Sequence, residues 1–279
     1  MSIEDLASFQ SIYNTDEYTP EAQKIINEVL NERKTELEEF RKSLIDDIKS
    51  SVPKFVSSKS KAKLVIFFLA IAIVLGIIAL FSNFMQIDLL TRMIEGNNFT
   101  LEETYTNDIR QQTIRILQLI IYFVTGIFFL IWFYQAHRNL QALGSKNLKY
   151  TSGWAIGGFF IPFLNLVRPF QVMKEVWKES DPNITYSIIS TNSTWKDSRS
   201  SSLVGWWWFL FLFGNFISYL PHILMQEESI DSLLTGTWVM LSSEIVEIIA
   251  AIVTIGLVKK IVNRQKEKYK KLKGSIANI

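Results

Sequence analysis

The sequence predicts an all-α integral membrane protein with four transmembrane helices, one short re-entrant or interfacial segment, and an N-terminal cytosolic amphipathic helix. Of the 279 residues, 48% are hydrophobic and 13% are aromatic. The apolar residues are gathered into blocks, which is typical of membrane proteins. Four blocks reach the roughly twenty residues that cross a bilayer core. A fifth block is shorter and is interrupted by glycine and proline.

Composition excludes several functional classes. The chain has no cysteine, which excludes disulfides, thiol catalysis and cysteine-ligated metals. His137 and His222 are the two histidines, so we expect no histidine-built metal site. No phosphate-binding glycine loop and no catalytic triad pattern is present. A net charge of +2 gives no field that would attract nucleic acid. We therefore expect no cofactor, no metal, no nucleic-acid partner and no enzymatic activity.

Residues 1–60 are polar and form a candidate cytosolic region. Thr19, Pro20 and Glu21 are typical of a helix start, with threonine as the N-cap and proline at the first helical position. One apolar stripe at helical spacing follows, formed by Ile26, Leu30, Leu37, Phe40, Leu44 and Ile48. Charges interrupt the second position that a coiled-coil seam requires. The pattern favours an amphipathic helix that packs on the protein, lies on the membrane or binds a protein partner.

The predicted membrane domain covers residues 61–260, and a basic cytosolic tail covers 261–279. Its four spans lie at about 64–84, 114–134, 203–225 and 237–258. Aromatic residues favour the headgroup level, and several stand at the ends of these spans: Trp132, Tyr134, Trp206, Trp207, Trp208 and Trp238. We interpret the run Trp206–Trp208 as part of such an aromatic belt.

Basic residues near the spans predict the orientation, because they favour the cytoplasmic side. Lysines precede the first span and fill the tail, whereas the loops at about 85–113 and 226–236 are acidic. Both termini are therefore predicted in the cytoplasm, with an even number of crossings. The basic tail could also contact anionic lipid.

The segment 154–167 is too short for a simple span. It holds about fourteen apolar-leaning residues, interrupted by Gly157, Gly158 and Pro162, and basic residues flank it on both sides. We predict a re-entrant or interfacial element on the cytoplasmic side; a true short span is the alternative. Irregular backbone at membrane depth must be buried in protein or line a cavity, so we expect it inside the bundle. A flexible Ser/Thr/Asn-rich loop is predicted at 183–202.

An ordered motif runs from the end of the second span through this segment. Its members are Arg138, Asn139, Leu140, Gly153, Trp154, Ala155, Pro162, Asn165, Leu166, Arg168, Pro169, Glu175 and Trp177. This order resembles a bacterial multi-pass membrane family known only as a domain of unknown function, over roughly residues 65–260. Thr151-Ser152 stands where the family often has Ser-Pro. The resemblance implies an inner-membrane location and a shared core, and it implies no activity.

Glu244 and Glu247 are candidates for an intramembrane polar site. They lie three residues apart in the last predicted span, hence on one helix face. An ionisable group at that depth costs at least ~2.5 kcal/mol and normally faces the bundle or a water-filled cavity. One hypothesis is a cation or proton site assisted by Asn215 or His222. The other is a buried polar network that fixes helix packing, with Arg115 or His222 as partner.

Arg168 and Asn165 are candidates for contact with an anion or lipid headgroup. Three residues apart, they would project from one side of a helical turn, and Arg138 could add a second positive charge. The alternative is structural, with Arg168 capping helix carbonyls and pairing with Glu175 or another acid, while Asn165 satisfies backbone freed around Pro162. We interpret His137 as an interfacial anchor.

These patterns leave three functional hypotheses. The first is a non-enzymatic scaffold or accessory subunit that contacts lipid or a partner protein. The second is a small ion- or proton-coupled transporter or channel that uses the glutamate pair. The third is an enzyme that acts on lipid, for which the sequence offers no recognisable nucleophile or metal set.

Overall fold

A computed structural model describes residues 19–51, 54–145, 147–183, 201–226 and 229–277. Its helices are α1 (Pro20–Ser51), α2 (Lys59–Ile94), α3 (Leu101–Ala142), α4 (Ser152–Gly157), α5 (Arg168–Glu179), α6 (Ser202–Leu224) and α7 (Ile230–Ala277), and a 3₁₀ turn, Leu164–Leu166, joins α4 to α5. Every element in these ranges is helical, so the predicted all-α class is confirmed. Most of the predicted loop 183–202 lies outside the described residues.

Helix α1 belongs to a compact unit of its own, residues 1–53, and residues 54–279 form the second unit. The predicted helix start is confirmed, because α1 begins at Pro20 and the Thr19 carbonyl accepts the Gln23 N–H at 3.0 Å. Along its apolar stripe, Phe40 is 66% exposed. The side chains of Leu44 and Ile48 lie outside the described set.

Within the described ranges, three helices are long enough and apolar enough to cross a membrane. They are α2, α3 and α6, which contain the predicted spans 64–84, 114–134 and 203–225. The fourth predicted span, 237–258, is part of the 48-residue helix α7.

Helices α2 and α7 pack antiparallel along their length. At one end, Gln86 donates a hydrogen bond to Thr237 at 3.1 Å. In the middle, a Cβ added to Gly76 would lie 3.0 Å from Cγ1 of Ile248, so the two backbones approach closely there. At the other end, Val65 and Leu257 belong to one buried core. The apolar length of α2 is therefore aligned with residues 237–258.

Buried aromatic rings form the core at the end of the bundle where α3 ends and α6 begins, here called the hairpin end. Trp132 and Phe133 are fully buried and Trp207 is 4% exposed. Phe129 stacks on Trp207 with ring centroids 5.9 Å apart, which joins α3 to α6. The aromatic-belt interpretation of the Trp206–Trp208 run is thus wrong for two of its members. Trp206 is 58% exposed, but Trp207 and Trp208 are buried, because successive helical residues point about 100° apart.

The basic segment 261–279 is not a separate tail in its described part. Helix α7 continues to Ala277 without a break. Ile261 is fully buried, and Gln265 and Lys268 are each 1% exposed. This extension packs against the hairpin end, and Tyr269 stacks on Phe55 with ring centroids 4.4 Å apart.

Candidate functional site

The chain between α3 and α6 leaves the hairpin end and returns to it. Ser145, just after α3, donates a hydrogen bond to the Glu179 carboxylate at 2.6 Å, and Glu179 is the last residue of α5. Both ends of the segment therefore lie together. We call residues 152–179, which comprise α4, the 3₁₀ turn and α5, the hairpin.

His137 clamps the base of the hairpin. It is 1% exposed, and its Nε2 lies 3.2 Å from a Glu175 oxygen while its Nδ1 lies 3.1 Å from the Ser152 hydroxyl. The second Glu175 oxygen accepts the Lys149 N–H at 2.5 Å. The interpretation of His137 as an interfacial anchor is therefore wrong: it is a buried residue that joins α3 to both arms of the hairpin. The burial of His137 and its two bonds could not be predicted from its position at the end of an apolar helix.

Asn139 is the centre of a second set of contacts, with 1% of its surface exposed. Its amide nitrogen donates to the Val56 carbonyl at 2.9 Å and to Gln265 at 3.3 Å. Its amide oxygen accepts from the Val56 N–H at 3.3 Å and from Gln135 at 3.0 Å. One side chain thus connects α3, the irregular segment before α2 and the extension of α7.

The extension of α7 completes this network. Gln265 donates to the Ala136 carbonyl at 2.7 Å and to the Ser180 hydroxyl at 3.1 Å. Lys268 donates to the Glu179 carbonyl at 2.7 Å. Burial lowers the pKa of Lys268 to about 8, although the nearby carboxylates of Glu179 and Asp181 oppose the shift. Sequence reasoning missed these residues, because a Lys-rich helix end is typical of a solvated anchor.

Trp177 is a motif residue that α7 also holds. Its ring lies 4.4 Å from the Arg264 guanidinium, and its carbonyl accepts from that guanidinium at 3.2 Å. Arg264 also pairs with Asp181 at 2.9 Å. Three motif residues therefore join helices: Glu175 joins α5 to His137 of α3, Asn139 joins α3 to α7, and Trp177 joins α5 to α7. The predicted motif includes this core, although the sequence did not show what the residues contact.

Arg168, Asn165 and Arg138 are not brought together by any contact among the described residues. The Arg168 guanidinium lies over the rings of Tyr150 at 4.9 Å and Trp154 at 5.5 Å, and it donates to Gln171 at 3.3 Å. Its predicted pairing with Glu175 is wrong, since Glu175 bonds to His137. Asn165 and Arg138 are exposed. Val167, at φ −129°, interrupts the helical turn that was expected to align Asn165 with Arg168.

Glycine and proline shape the hairpin. A Cβ added to Gly158 would lie 2.8 Å from Cγ of Arg168, so the two arms cross closely at this point. Pro169 is buried in the first turn of α5, where its missing N–H has no helical acceptor. Gly153 is exposed within α4 and has no such crowding.

The tip of the hairpin, residues 160–167, contradicts the prediction that this segment lies inside the bundle. Phe160 is 70% exposed, Phe163 85% and Leu166 51%. Phe163 has φ +65° and is the centre of a γ-turn that the Leu164 N–H closes onto the Pro162 carbonyl at 2.8 Å. Turns within the tip bond several of its own backbone groups, so these groups do not need partners from the rest of the bundle.

Two glutamates lie in the middle of α7. Gln118 of α3 donates to the Glu244 carboxylate at 2.9 Å, and Ser218 of α6 donates to Glu247 at 2.7 Å. Glu244 is half-buried and Glu247 is exposed. Residues on one face of α7 thus form hydrogen bonds to α3 and to α6.

The partners predicted for this pair are wrong. Asn215 donates to the Phe211 carbonyl of its own helix at 2.7 Å. His222 is exposed, with its ring 6.4 Å from that of Tyr219. Arg115 lies 3.4 Å from the sulfur of Met240. Amide and hydroxyl side chains replace the expected charges, and no periodic signal in the sequence distinguishes Gln118 or Ser218 from other polar residues of the spans.

Long apolar helices around a buried polar network define the class of this chain, an all-helical membrane protein. Residues 96–263 match the family model described as "Domain of unknown function (DUF4328)", and the chain belongs to that family. No curated protein and no solved structure matches the chain. The match runs from just before α3 into the extension of α7 and includes the hairpin and the glutamate pair. The predicted resemblance to a family of unknown function is confirmed at this level.

Proposed function

We propose that this protein is a non-enzymatic scaffold or accessory subunit of the bacterial inner membrane, which crosses the membrane four times and contacts lipid or a partner protein. The supporting observation is that the side chains of several motif residues bond to other parts of the same chain. Asn139 makes four hydrogen bonds, three of them to parts of the chain outside α3, and the buried His137 bonds to the partly buried Glu175 at the hairpin base. Side chains whose hydrogen-bonding groups are already paired within the protein stabilise a rigid scaffold and have no free groups with which to bind a substrate.

Alignment of α7 with α2 supports the fourth crossing. Thr237 lies beside Gln86 and Ile248 beside Gly76, so residues 237–258 are level with the apolar length of α2. The glutamate contacts give the same register, because Gln118 and Ser218 belong to the apolar helices α3 and α6. If α2, α3 and α6 cross, α7 crosses with them.

Charge supports the orientation, with both termini and the hairpin end in the cytoplasm. Lys59, Lys61 and Lys63 stand at the start of α2, and the α7 extension is rich in lysine. At the opposite end of the bundle, Glu103 and Asp88 pair with Arg92. Basic residues concentrate on the cytoplasmic side of membrane proteins.

Reporter fusions test this topology. A reporter that is active only in the periplasm, fused after Asn97 or Gln226, should be active, and one fused after Glu179 or Ile279 should be silent. A cytoplasmic reporter should give the reverse pattern. Periplasmic activity after Glu179 would show that the hairpin crosses, and it would overturn the four-span assignment.

Native mass spectrometry tests the scaffold role. The full chain, released from the membrane in mild detergent, should retain phospholipid or a protein partner at fixed stoichiometry. The Asn139→Ala variant, whose scaffold is destabilised, should retain less of that component than wild type, whereas Arg138→Ala should retain as much. A folded wild-type chain that carries neither lipid nor protein would contradict the proposal.

A second candidate function, an ion- or proton-coupled transporter or channel, is favoured by the glutamate pair. Each carboxylate has a single neutral hydrogen-bonding neighbour, Gln118 or Ser218, which leaves oxygen lone pairs for a cation or a proton. Wild-type protein in liposomes should then carry a cation or proton flux that Glu244→Gln with Glu247→Gln abolishes. Absence of any wild-type flux would eliminate this candidate.

A further inference from the structure

We infer that the tip of the hairpin, residues 160–167, lies at the boundary between the headgroups and the acyl chains of the leaflet on the hairpin side and inserts its apolar side chains among the acyl chains, so that the protein contacts lipid through a non-spanning element as well as through its spans. This inference rests on the proposed function, since it requires the hairpin to lie at the membrane. It names lipid as the ligand of the hairpin, a contact that neither the family description nor the spans assign.

The tip presents an apolar surface to its surroundings. Five side chains contribute to it, with these exposed fractions: Phe160 70%, Ile161 40%, Phe163 85%, Leu166 51% and Val167 49%. An exposed apolar patch with a polar rim marks an interaction site. A basic residue borders this patch, because Arg168 follows Val167 directly and lies over the rings of Tyr150 and Trp154, and basic residues favour the anionic headgroup region.

The backbone of the tip is suited to lipid. Asn165 N–H bonds to the Ile161 carbonyl at 2.9 Å, and Val167 N–H bonds to the Leu164 carbonyl at 3.0 Å. Trp208 donates its indole N–H to the Leu166 carbonyl at 3.0 Å. These bonds satisfy many of the backbone groups of the tip, which lowers the cost of moving it from water to the boundary between the headgroups and the acyl chains.

The tip is also held at a fixed place beside α6. Arg168 lies across the Trp154 and Tyr150 rings, and the glutamates at 175 and 179 fix the base. Phe163 is the centre of the γ-turn, with φ +65°, and its side chain is 85% exposed in that conformation, so that a lipid chain can contact its ring.

Continuity with the spans favours lipid over a protein partner. Trp208 joins the tip to α6, and α6 exposes Phe209 at 52% and Phe216 at 62%. The tip therefore extends an apolar surface that belongs to a helix of membrane-spanning character. If lipid covers the exposed face of α6, it therefore also covers the adjoining tip.

Spin labelling in liposomes tests the inference, and the cysteine-free sequence makes each label unique. Single variants Phe163→Cys, Val74→Cys and Asn147→Cys carry the label on the tip, on the exposed middle of α2 and on the loop after α3. Collision with oxygen reports lipid, and collision with a water-soluble nickel chelate reports water. We expect the Phe163 label to match the Val74 label, with oxygen dominant, while nickel dominates at Asn147.

Each other outcome has a definite meaning. Nickel-dominant collisions at Phe163, with Val74 in lipid, would place the tip in water and overturn the inference while the spans stand. Protection from both reagents would show that protein covers the tip, and it would overturn the inference as well. A Val74 label outside lipid would instead overturn the proposed function. If Phe163→Cys does not fold, Phe160→Cys gives the same readout.

Discussion

The two polar clusters of this protein differ in how completely their groups are bonded. At the hairpin end, Asn139 and Gln265 are almost fully buried and each bonds to several elements. In the middle of α7, Glu244 and Glu247 each bond to one neutral side chain, and Glu247 is exposed. The first cluster sets the positions of α3, α5 and α7. The second keeps oxygen lone pairs for further bonds, which is what the proposed transporter or channel function requires.

The surroundings of the two clusters also differ, because side chains are more deeply buried at the hairpin end than around the glutamates. The hairpin end contains the fully buried rings of Trp132 and Phe133. The middle of α3, in contrast, is mostly exposed, with Leu119 at 56% and Phe123 at 62%. Stability should therefore depend on the hairpin end far more than on the glutamate pair, and four substitutions test this contrast.

Trp207→Ala should have the largest effect. Removal of a buried tryptophan from the core leaves a cavity and costs about 3–5 kcal/mol. Thermal unfolding in detergent, followed by circular dichroism, should show a strongly lowered midpoint. Trp206→Ala is the matched control, because that ring is 58% exposed, and its midpoint should hardly change. Equal effects of the two variants would contradict the assigned core.

Asn139→Ala should follow. It leaves the partly buried backbone groups of Val56 and the buried amide oxygen of Gln265 without their side-chain partner, which costs about 1–3 kcal/mol. Arg138→Ala, at the exposed adjacent position, should stay within about 0.5 kcal/mol of wild type. The same unfolding measurement applies, and a small effect at Asn139 would show that the network adds little to stability.

Lys268 predicts a pH dependence. Its pKa is about 8 in the fold against about 10.4 in an unfolded chain. Between these values the unfolded state binds more protons, so the free energy of unfolding should rise with pH through this window. Below about pH 8 Lys268 is protonated in both states, so it causes no further change in the free energy of unfolding. Lys268→Met should remove the rise, and Lys270→Met, at an exposed position, should retain it.

Glu247→Gln should have the smallest effect on stability. The carboxylate is exposed and accepts one bond from Ser218, a bond that an amide oxygen can also accept. We expect a change within about 0.5 kcal/mol. A loss as large as that of Asn139→Ala would show that the pair holds the helices together, and the contrast between the two clusters would fail.

Much of the fold follows from local sequence. Length and composition predicted the segments of α2, α3 and α6, and the Thr19-Pro20 start of α1 was confirmed. The prediction of the site was less complete. Motif order indicated a shared core, but the roles of His137 and Trp207 were wrong, because burial depends on which face of a helix meets its neighbours. In the sequence, Gly158 is only an interruption of an apolar run, whereas in the structure it lies where the two hairpin arms cross.

The sequence by itself determined that this chain contains long apolar helices and belongs to a family of unknown function, because helix period, length, hydropathy and motif order can be read along the chain. Only the tertiary structure decided which polar groups meet. Asn139 and Gln265 are 126 residues apart along the chain, as are Gln118 and Glu244. Such partners are selected by helix packing and by the need to satisfy buried polar groups. The outward-facing tip of the hairpin was likewise a result of turn geometry that hydropathy does not encode.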